Sequence, residues 1–307
     1  MQTKTLIQLT LILCLGIAAI FGRDLWEQYQ QKQPNAYITY INQINKADIN
    51  EINLKQGASS LVLKKDKSDW KIMGKLADNA KVTELINALF PETSPIIIGK
   101  SREQRDNFGL QKQVAIQLTF KTVGNKSISL DVGRQTGIST AVSLPGDQQI
   151  FGLRNLPQLS SDPQPWFDLK VVDIDSKDIK KITFTHEYEP FTVIQTKDQT
   201  WSFEDKTIKT NSDGLNTFTL KLNPLIGNSL LYEDKLQNYT MEYSPFSITI
   251  DLASGKQITL TFYPGSTEES DYVVKRSTDN SFFTLSPDTA KEFDKQKDSF
   301  IMPSIPE

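Results

Sequence analysis

SDWKI at residues 68–72 and QTWSF at residues 199–203 decide how this chain is organised. In each stretch a tryptophan, Trp70 or Trp201, is followed by alternating polar and apolar residues. That alternation is typical of a half-buried β-strand. Each stretch also follows a charged turn, and the two tryptophans lie 131 positions apart. This agreement predicts that the chain contains two copies of one domain.

Further landmarks match in the same order when residues 46–168 are laid over residues 171–300. The matched pairs are Phe108 with Tyr239, Gly124 with Gly255, residues 114–120 with 246–252, 127–133 with 257–265, and 150–153 with 282–285. A solenoid differs from this pattern, because its repeats span a few tens of residues and number three or more. We therefore predict an anchor and spacer at 1–35, a first repeat domain at 36–168 and a second at 169–307.

Each copy combines strand patterns with one helical pattern. Apolar residues alternate in INEINL, SLVLKK and DWKIMG, which predicts antiparallel strands with one buried face. NAKVTELINALFP (79–91) has apolar residues at helical spacing, with Asn79 as a candidate N-cap and Pro91 as a stop. SDGLNTFTLKLNPLIG (212–227) takes its place in the second copy, and a hairpin with a glycine in its turn follows the helix in the first. This order predicts an α+β fold: an N-terminal transmembrane helix, then two tandem-duplicated, β-rich domains of antiparallel sheet, each with one main helix.

Two connecting segments have their own patterns. Strand-like residues begin directly after the polar spacer QYQQKQPNA (28–36). Pro163 and Pro165 argue against regular structure between the copies. Trp166 and Phe167 then lead into an apolar strand, and their size predicts that both rings are buried.

The N-terminal stretch LIQLTLILCLGIAAIFG (6–22) carries no charge and reads as a single membrane-spanning helix. A cleaved signal peptide is the alternative, but no good cleavage site follows. Leu13 precedes Cys14 where lipidation needs a small residue, so Cys14 is expected to be one more apolar residue of the helix. The positive tail around Lys4 places the N-terminus inside and the body on the extracytoplasmic side.

The composition excludes several classes of protein. The net charge is −3 and the isoelectric point is near 5.5, which argues against a nucleic-acid binder. Cys14 is the one cysteine and His186 the one histidine, so an internal disulfide, a cysteine-rich zinc site and a multi-histidine centre are excluded.

The residues that could carry chemistry have simpler structural explanations. His186 is expected at a strand end on the surface, and GRQTGIST (133–140) is expected to be a loop without the phosphate-binding spacing. We predict no catalytic, metal-binding or cofactor-binding residues and no cofactor. Trp70, Trp201, Trp166 and Phe167 are predicted as structural residues, with the first two anchoring one sheet each.

A set of structural motifs resembles a known family. The motifs are KVTELINALF (81–90), NFGL (107–110), LDVG (130–133), IFGLRNLPQL (150–159) and PQPWFD (163–168). They resemble bacterial membrane-anchored proteins that carry the domain of unknown function numbered 4340. The resemblance covers the part after the anchor and is strongest in the first copy, because the second has QNYTM for NFGL and FYPG for DVG.

The resemblance implies an accessory protein that is often encoded beside ABC-type transporter components, including a permease and a membrane-anchored protein of the gliding-motility auxiliary-transport type. We therefore expect a non-enzymatic scaffold, anchored once in the bacterial inner membrane, with such a permease or auxiliary protein as its partner. The alternative is a ligand-binding module that holds a small molecule or glycan between the two repeats, with Trp166 and Phe167 lining the cleft.

Overall fold

The computed structural model describes residues 35–187, 189–237, 239, 241–267 and 269–302. The predicted anchor at 6–22 lies outside these ranges, and no helix within them is long and apolar enough to cross a membrane. The chain divides into two compact units, Met1–Trp166 and Phe167–Glu307. The boundary follows Trp166, whereas the sequence placed it after Asp168.

The first unit contains a nine-stranded sheet, helices of different lengths and two short 3₁₀ segments. Its elements are α1 (Ala36–Ile41), a 3₁₀ turn (Lys46–Asp48), β1 (Ile49–Gln56), β2 (Ser59–Asp66), β3 (Asp69–Ile72), β4 (Lys75–Leu76), α2 (Asn79–Leu89), β5 (Ile96–Gly99), α3 (Gln104–Asn107), β6 (Ile116–Thr122), β7 (Ser127–Thr136), β8 (Ser139–Ser143), β9 (Ile150–Arg154) and a 3₁₀ turn (Gln164–Trp166). The strand order is β4-β3-β2-β1-β6-β7-β8-β9-β5, and every pairing is antiparallel.

One face of this sheet forms the core of the first unit. Alternate residues such as Ile52 and Leu54 of β1 are fully buried, as the alternation predicted. Helix α2 covers this face, since Phe90 at its end meets Phe120 of β6 edge-on with 6.1 Å between ring centres. The predicted helix and the predicted β6–β7 hairpin are confirmed.

Asn79 is not the N-cap of helix α2, contrary to the prediction. Asp78 is the cap, because its carboxylate accepts hydrogen bonds from the N–H groups of Ala80 and Lys81 at 2.9 and 3.1 Å. The sequence pattern allowed either residue, because both aspartate and asparagine are good caps.

Residues 36–41 form a helix, although strand-like segments were predicted to begin after the spacer. The Asn35 side chain accepts a hydrogen bond from Tyr37 N–H and so starts helix α1. Tyr37 and Ile41, four residues apart, are the buried residues of the helix. The Tyr37 ring lies 5.5 Å from Phe151, and its hydroxyl donates to the carbonyl of Leu89 at 2.8 Å. Tertiary packing therefore overrides the local strand preference.

The second unit repeats much of this plan. Its elements are β10 (Lys170–Val172), a 3₁₀ turn (Ser176–Asp178), β11 (Ile179–His186), β12 (Phe191–Gln195), β13 (Trp201–Phe203), α4 (Ser212–Leu220), β14 (Leu225–Ile226), β15 (Ser229–Leu231), α5 (Glu233–Leu236), β16 (Phe246–Leu252), β17 (Gln257–Tyr263), β18 (Tyr272–Arg276), β19 (Ser281–Leu285), α6 (Pro287–Phe293) and a 3₁₀ turn (Lys297–Phe300). Its main sheet has the order β13-β12-β11-β16-β17-β18-β19-β15, and β10 pairs with β14 in a separate two-stranded sheet.

The two main sheets have the same strand order once β4 is set aside, and their registers agree. In the first unit Val142 pairs with Phe151 across β8 and β9, and in the second Val274 pairs with Phe283 across β18 and β19. The hairpin turns correct one detail of the sequence match. Asn125 (φ 59°) and Gly255 (φ 83°) occupy the same turn position, so Gly255 corresponds to Asn125 and not to Gly124. The common feature is a left-handed backbone, which asparagine and glycine tolerate best.

Candidate functional site

Trp70 and Trp201 lie at equivalent places in strands β3 and β13, with 4% and 3% of their surface exposed. In both units a side chain in the first turn of the following helix accepts a hydrogen bond from the backbone N–H of the tryptophan. Trp70 N–H donates to the Asn79 side chain at 2.8 Å, and Trp201 N–H donates to the Ser212 hydroxyl at 3.0 Å. Both residues therefore lie where a strand edge joins the helix start, away from solvent.

Trp166 closes the first unit, a role that the sequence did not reveal. Its backbone carbonyl accepts the N–H of Asp78, the cap of α2, at 2.8 Å. Its ring is fully buried, its indole N–H donates to the carbonyl of Ser160 at 2.9 Å, and Lys81 Nζ lies 5.1 Å from the ring centre. In the second unit the backbone carbonyl of Phe300 makes the corresponding contact, because it accepts the N–H of Asn211, the cap of α4, at 2.7 Å.

The segment around Trp166 also corrects the expectation that Pro163 and Pro165 exclude regular structure. Gln164–Trp166 is a 3₁₀ turn, since the fixed φ of proline is compatible with 3₁₀ geometry. Phe167 begins the second unit and is 3% exposed, with its ring 5.5 Å from that of Tyr232. The apolar strand predicted after it is β10.

His186 ends strand β11 as expected, but it does not lie on the surface. Only 8% of its side chain is exposed, and its ring stacks between those of Phe191 and Phe246, with 6.1 Å between ring centres on each side. Its Nε2 atom lies 3.1 Å from Asp294 Oδ1. Phe191 lies five residues away in β12, but Phe246 comes from β16 and is brought to His186 by the pairing of β11 with β16, which the local sequence does not show.

Most of the stretch 133–140 belongs to strands and not to a loop. Strand β7 continues to Thr136, and β8 starts at Ser139. Gly133 is needed because a Cβ atom there would collide with the carbonyl oxygen of Phe108, which accepts the N–H of Arg134 at 2.8 Å. The NFGL segment therefore crosses strand β7 at this glycine, and the motif is structural. Within the described ranges no group of three His, Cys, Asp or Glu residues could hold a metal ion.

A groove of about 1030 Å³ lies in the first unit between helix α2 and the end of strand β9. Its walls are the polar face of α2, the connection from α2 to β5, and the last residues of β9. The lining includes Thr83, Asn87, Ser94, Pro95, Arg154 and Asn155. Leu153, which is 2% exposed, gives the groove an apolar base.

Strand β5 borders this groove and is the last strand of its sheet. Ile96 and Ile97 are 55% and 42% exposed, which is unusual for consecutive large apolar residues on a sheet edge. Asn35 lies beside this edge, because its side chain donates to the carbonyl of Pro95 at 3.1 Å. This strand was not predicted, although SPIIIGK (94–100) carries a short run of β-branched residues.

The chain matches no protein-family model, no curated protein and no solved structure. The described part is an α+β protein made mainly of antiparallel sheet. The β5 edge with the adjoining groove is its candidate functional site.

Proposed function

We propose that this chain is a non-enzymatic, membrane-anchored extracytoplasmic accessory or scaffold protein that associates with an ABC-type transport system. The observation that carries the proposal is the exposed apolar edge of Ile96 and Ile97, which lies beside Asn35. An open edge of this kind is a template for pairing with another chain.

The position of this edge fits a partner in the membrane. Residues 23–34 join the predicted membrane segment to Asn35, and twelve residues span at most about 40 Å when extended. The β5 edge is therefore tethered within reach of a protein that lies in the same bilayer. The resemblance to the family described above supports an ABC-type permease, or a related membrane-anchored auxiliary protein, as that partner.

Tandem duplication is part of the same proposal. The shared strand order and the two carbonyl-to-cap contacts, from Trp166 to Asp78 and from Phe300 to Asn211, support a common origin of the two units. Two copies of one sheet domain suit a scaffold, because each copy presents its own edges and surfaces.

The residues best suited to chemistry have structural roles, which also favours a scaffold. His186 packs between two phenylalanine rings, and Gly133 allows a backbone crossing. A catalytic centre would bring a base, a nucleophile and a charge-stabilising group to one cleft. The groove beside α2 has a single acid, Glu84, and a single base, Arg154, among its lining residues.

Cross-linked affinity purification of the tagged full-length protein from native membranes, read by mass spectrometry, tests this proposal. We expect an ABC-type permease and its ATPase in a fixed ratio to the bait. Recovery of the bait alone would contradict the accessory role and would favour the independent ligand-binding module.

A further inference from the structure

The four edges of the two main sheets are not equally open in the described ranges. In β13 the backbone N–H groups of Trp201 and Phe203 already donate hydrogen bonds to the hydroxyls of Ser212 and Thr210, respectively. Strand β4 is only two residues long, and β15 has Leu230 buried at its centre. Among the strands of the described ranges, β5 alone presents two consecutive apolar residues that are more than 40% exposed. Within the described part of the chain β5 pairs with β9 and with no further strand, so the backbone groups on its other side lie at the edge of the sheet.

The groove beside β5 has the chemistry that suits a polypeptide backbone. Thr83, Asn87 and Ser94 are among its lining residues, and hydroxyl and amide groups can both donate and accept hydrogen bonds. Glu84 and Arg154 balance each other in charge, so the groove selects neither an acidic nor a basic ligand. Its apolar base at Leu153 and the exposed Ile96 at its border favour apolar side chains in the occupant.

The place of Asn35 indicates where the occupant comes from. Asn35 is bonded to Pro95, which lines the groove, and the sequence connects Asn35 to the predicted membrane segment through residues 23–34. If residues 6–22 are inserted in a bilayer, the twelve intervening residues hold the groove within about 40 Å of its surface. The nearest abundant source of extended segments is then the extracytoplasmic loops of an integral membrane protein.

We infer that strand β5 and the adjoining groove bind an extended, uncharged segment of an integral membrane protein by strand addition. The inference rests on the proposed accessory function and names its docking surface. The bound segment forms main-chain hydrogen bonds with β5, and its apolar side chains cover Ile96 and Ile97. The polar residues of α2 bind the part of the segment that enters the groove.

Photo-cross-linking from single positions tests this docking surface. A photoreactive amino acid replaces Ile97 in the full-length protein in native membranes, and the matched control carries it at Ile226, which is 48% exposed in the second unit. We expect position 97 to cross-link to an extracytoplasmic segment of an integral membrane protein, identified by mass spectrometry of the joined peptides. Position 226 is expected to give at most about one tenth of that product, because it lies on a different strand from the docking surface.

Substitutions test the same surface without a probe. Ile97→Lys places a charge on the edge strand, and we expect recovery of the membrane partner to fall at least about tenfold, while Ile226→Lys leaves it unchanged. Ile96→Lys is a second variant in case the first unfolds the protein, and thermal unfolding checks all three.

Several results would overturn the inference. A cross-link from position 97 to a second copy of this chain, or to residues 1–34, would assign the edge to a different occupant. Equal cross-linking from positions 97 and 226 would show that the contact is not specific. If the transporter co-purifies but position 97 does not reach it, the docking surface is wrong and the accessory role stands. If no membrane protein co-purifies with the wild-type chain, the proposed function fails as well.

Discussion

At the scale of single residues, Arg276 and Asp279 show how one ion pair organises the start of the second unit. Arg276 donates to the carbonyls of Lys170 and Val171, both at 2.8 Å, and so holds strand β10. Its guanidinium also makes two hydrogen bonds to Asp279, at 2.9 and 2.7 Å. Burial by itself raises the pKa of Asp279, but the hydrogen bonds from Arg276 and Ser281 and the charge of Arg276 outweigh it and lower the pKa to about 2.

Asp279→Asn tests this ion pair. The pKa is lower in the folded chain than the ordinary value of 3.8, so the carboxylate stabilises the fold above about pH 4. That stabilisation is lost as the pH falls from about 4 to about 2. The side chain is 39% exposed, and solvent screening reduces its contribution to about 1 kcal/mol. We expect Asp279→Asn to lower the free energy of unfolding by that amount at pH 7, measured by urea unfolding of residues 35–307.

The difference between Asp279→Asn and the wild type should shrink on acidification and disappear near pH 2. The exposed Glu269→Gln is the control and should change little at any pH. A difference that stays constant from pH 7 to pH 2 would contradict the assignment of the effect to the charged carboxylate.

At the scale of elements, most strands and the two main helices follow from local pattern, whereas strand β5, helix α1 and the contacts that join the elements do not. Two local signals can be read directly from the sequence. They are the alternation of apolar residues in β1, β2 and β3 and the helical spacing of apolar residues in α2. Helix α1 has strand-forming residues and becomes helical through the buried contacts of Tyr37. The carbonyl of Trp166 reaches Asp78 across 88 positions, and no local pattern reports such a contact.

Removing the caps tests the starts of the two main helices. Asp78→Ala and Asn211→Ala each remove side-chain acceptors for N–H groups in the first turn of α2 and α4. We expect each substitution to lower the free energy of unfolding by about 1 kcal/mol. Chemical unfolding of residues 35–307 measures this, and the exposed Asn87→Ala serves as a control within α2. An unchanged free energy of unfolding for Asp78→Ala would contradict its assignment as the cap.

The bond between helix start and tryptophan strand is tested separately. Asn79→Ala and Ser212→Ala leave the N–H of Trp70 or Trp201 without its side-chain acceptor in a half-buried setting. We expect each to cost about 1–2 kcal/mol of unfolding free energy and to increase amide hydrogen exchange at that tryptophan. Unchanged exchange at both tryptophans would show that these bonds do not secure the strand edges.

At the scale of the whole molecule, each unit has its own sheet, main helix and closing 3₁₀ turn. The first unit ends on Trp166, whose ring is fully buried within it. The two main sheets share one strand order, which agrees with the two copies of one domain that the sequence landmarks predicted. The open β5 edge was not predicted, because whether a strand lies at an edge depends on the order of strands in the folded sheet.

A pair of fragments tests whether the first unit is complete at Trp166. Residues 35–168 should unfold cooperatively, because all sheet strands, α2 and the closing turn are present. Residues 35–160 lack Trp166, and we expect them to be less stable by at least about 3 kcal/mol, the usual cost of removing a buried tryptophan. Calorimetry of both fragments measures the difference. Equal stability would show that Trp166 does not close the first unit.

The account as a whole predicts a membrane partner that docks on the first unit. Its most direct test is quantitative co-purification from native membranes with the tagged wild-type chain, Ile97→Lys and Ile226→Lys. We predict that an ABC-type permease and its ATPase are recovered with the wild type and Ile226→Lys and are largely lost with Ile97→Lys. Absence of any membrane partner from the wild-type purification would contradict the central claim.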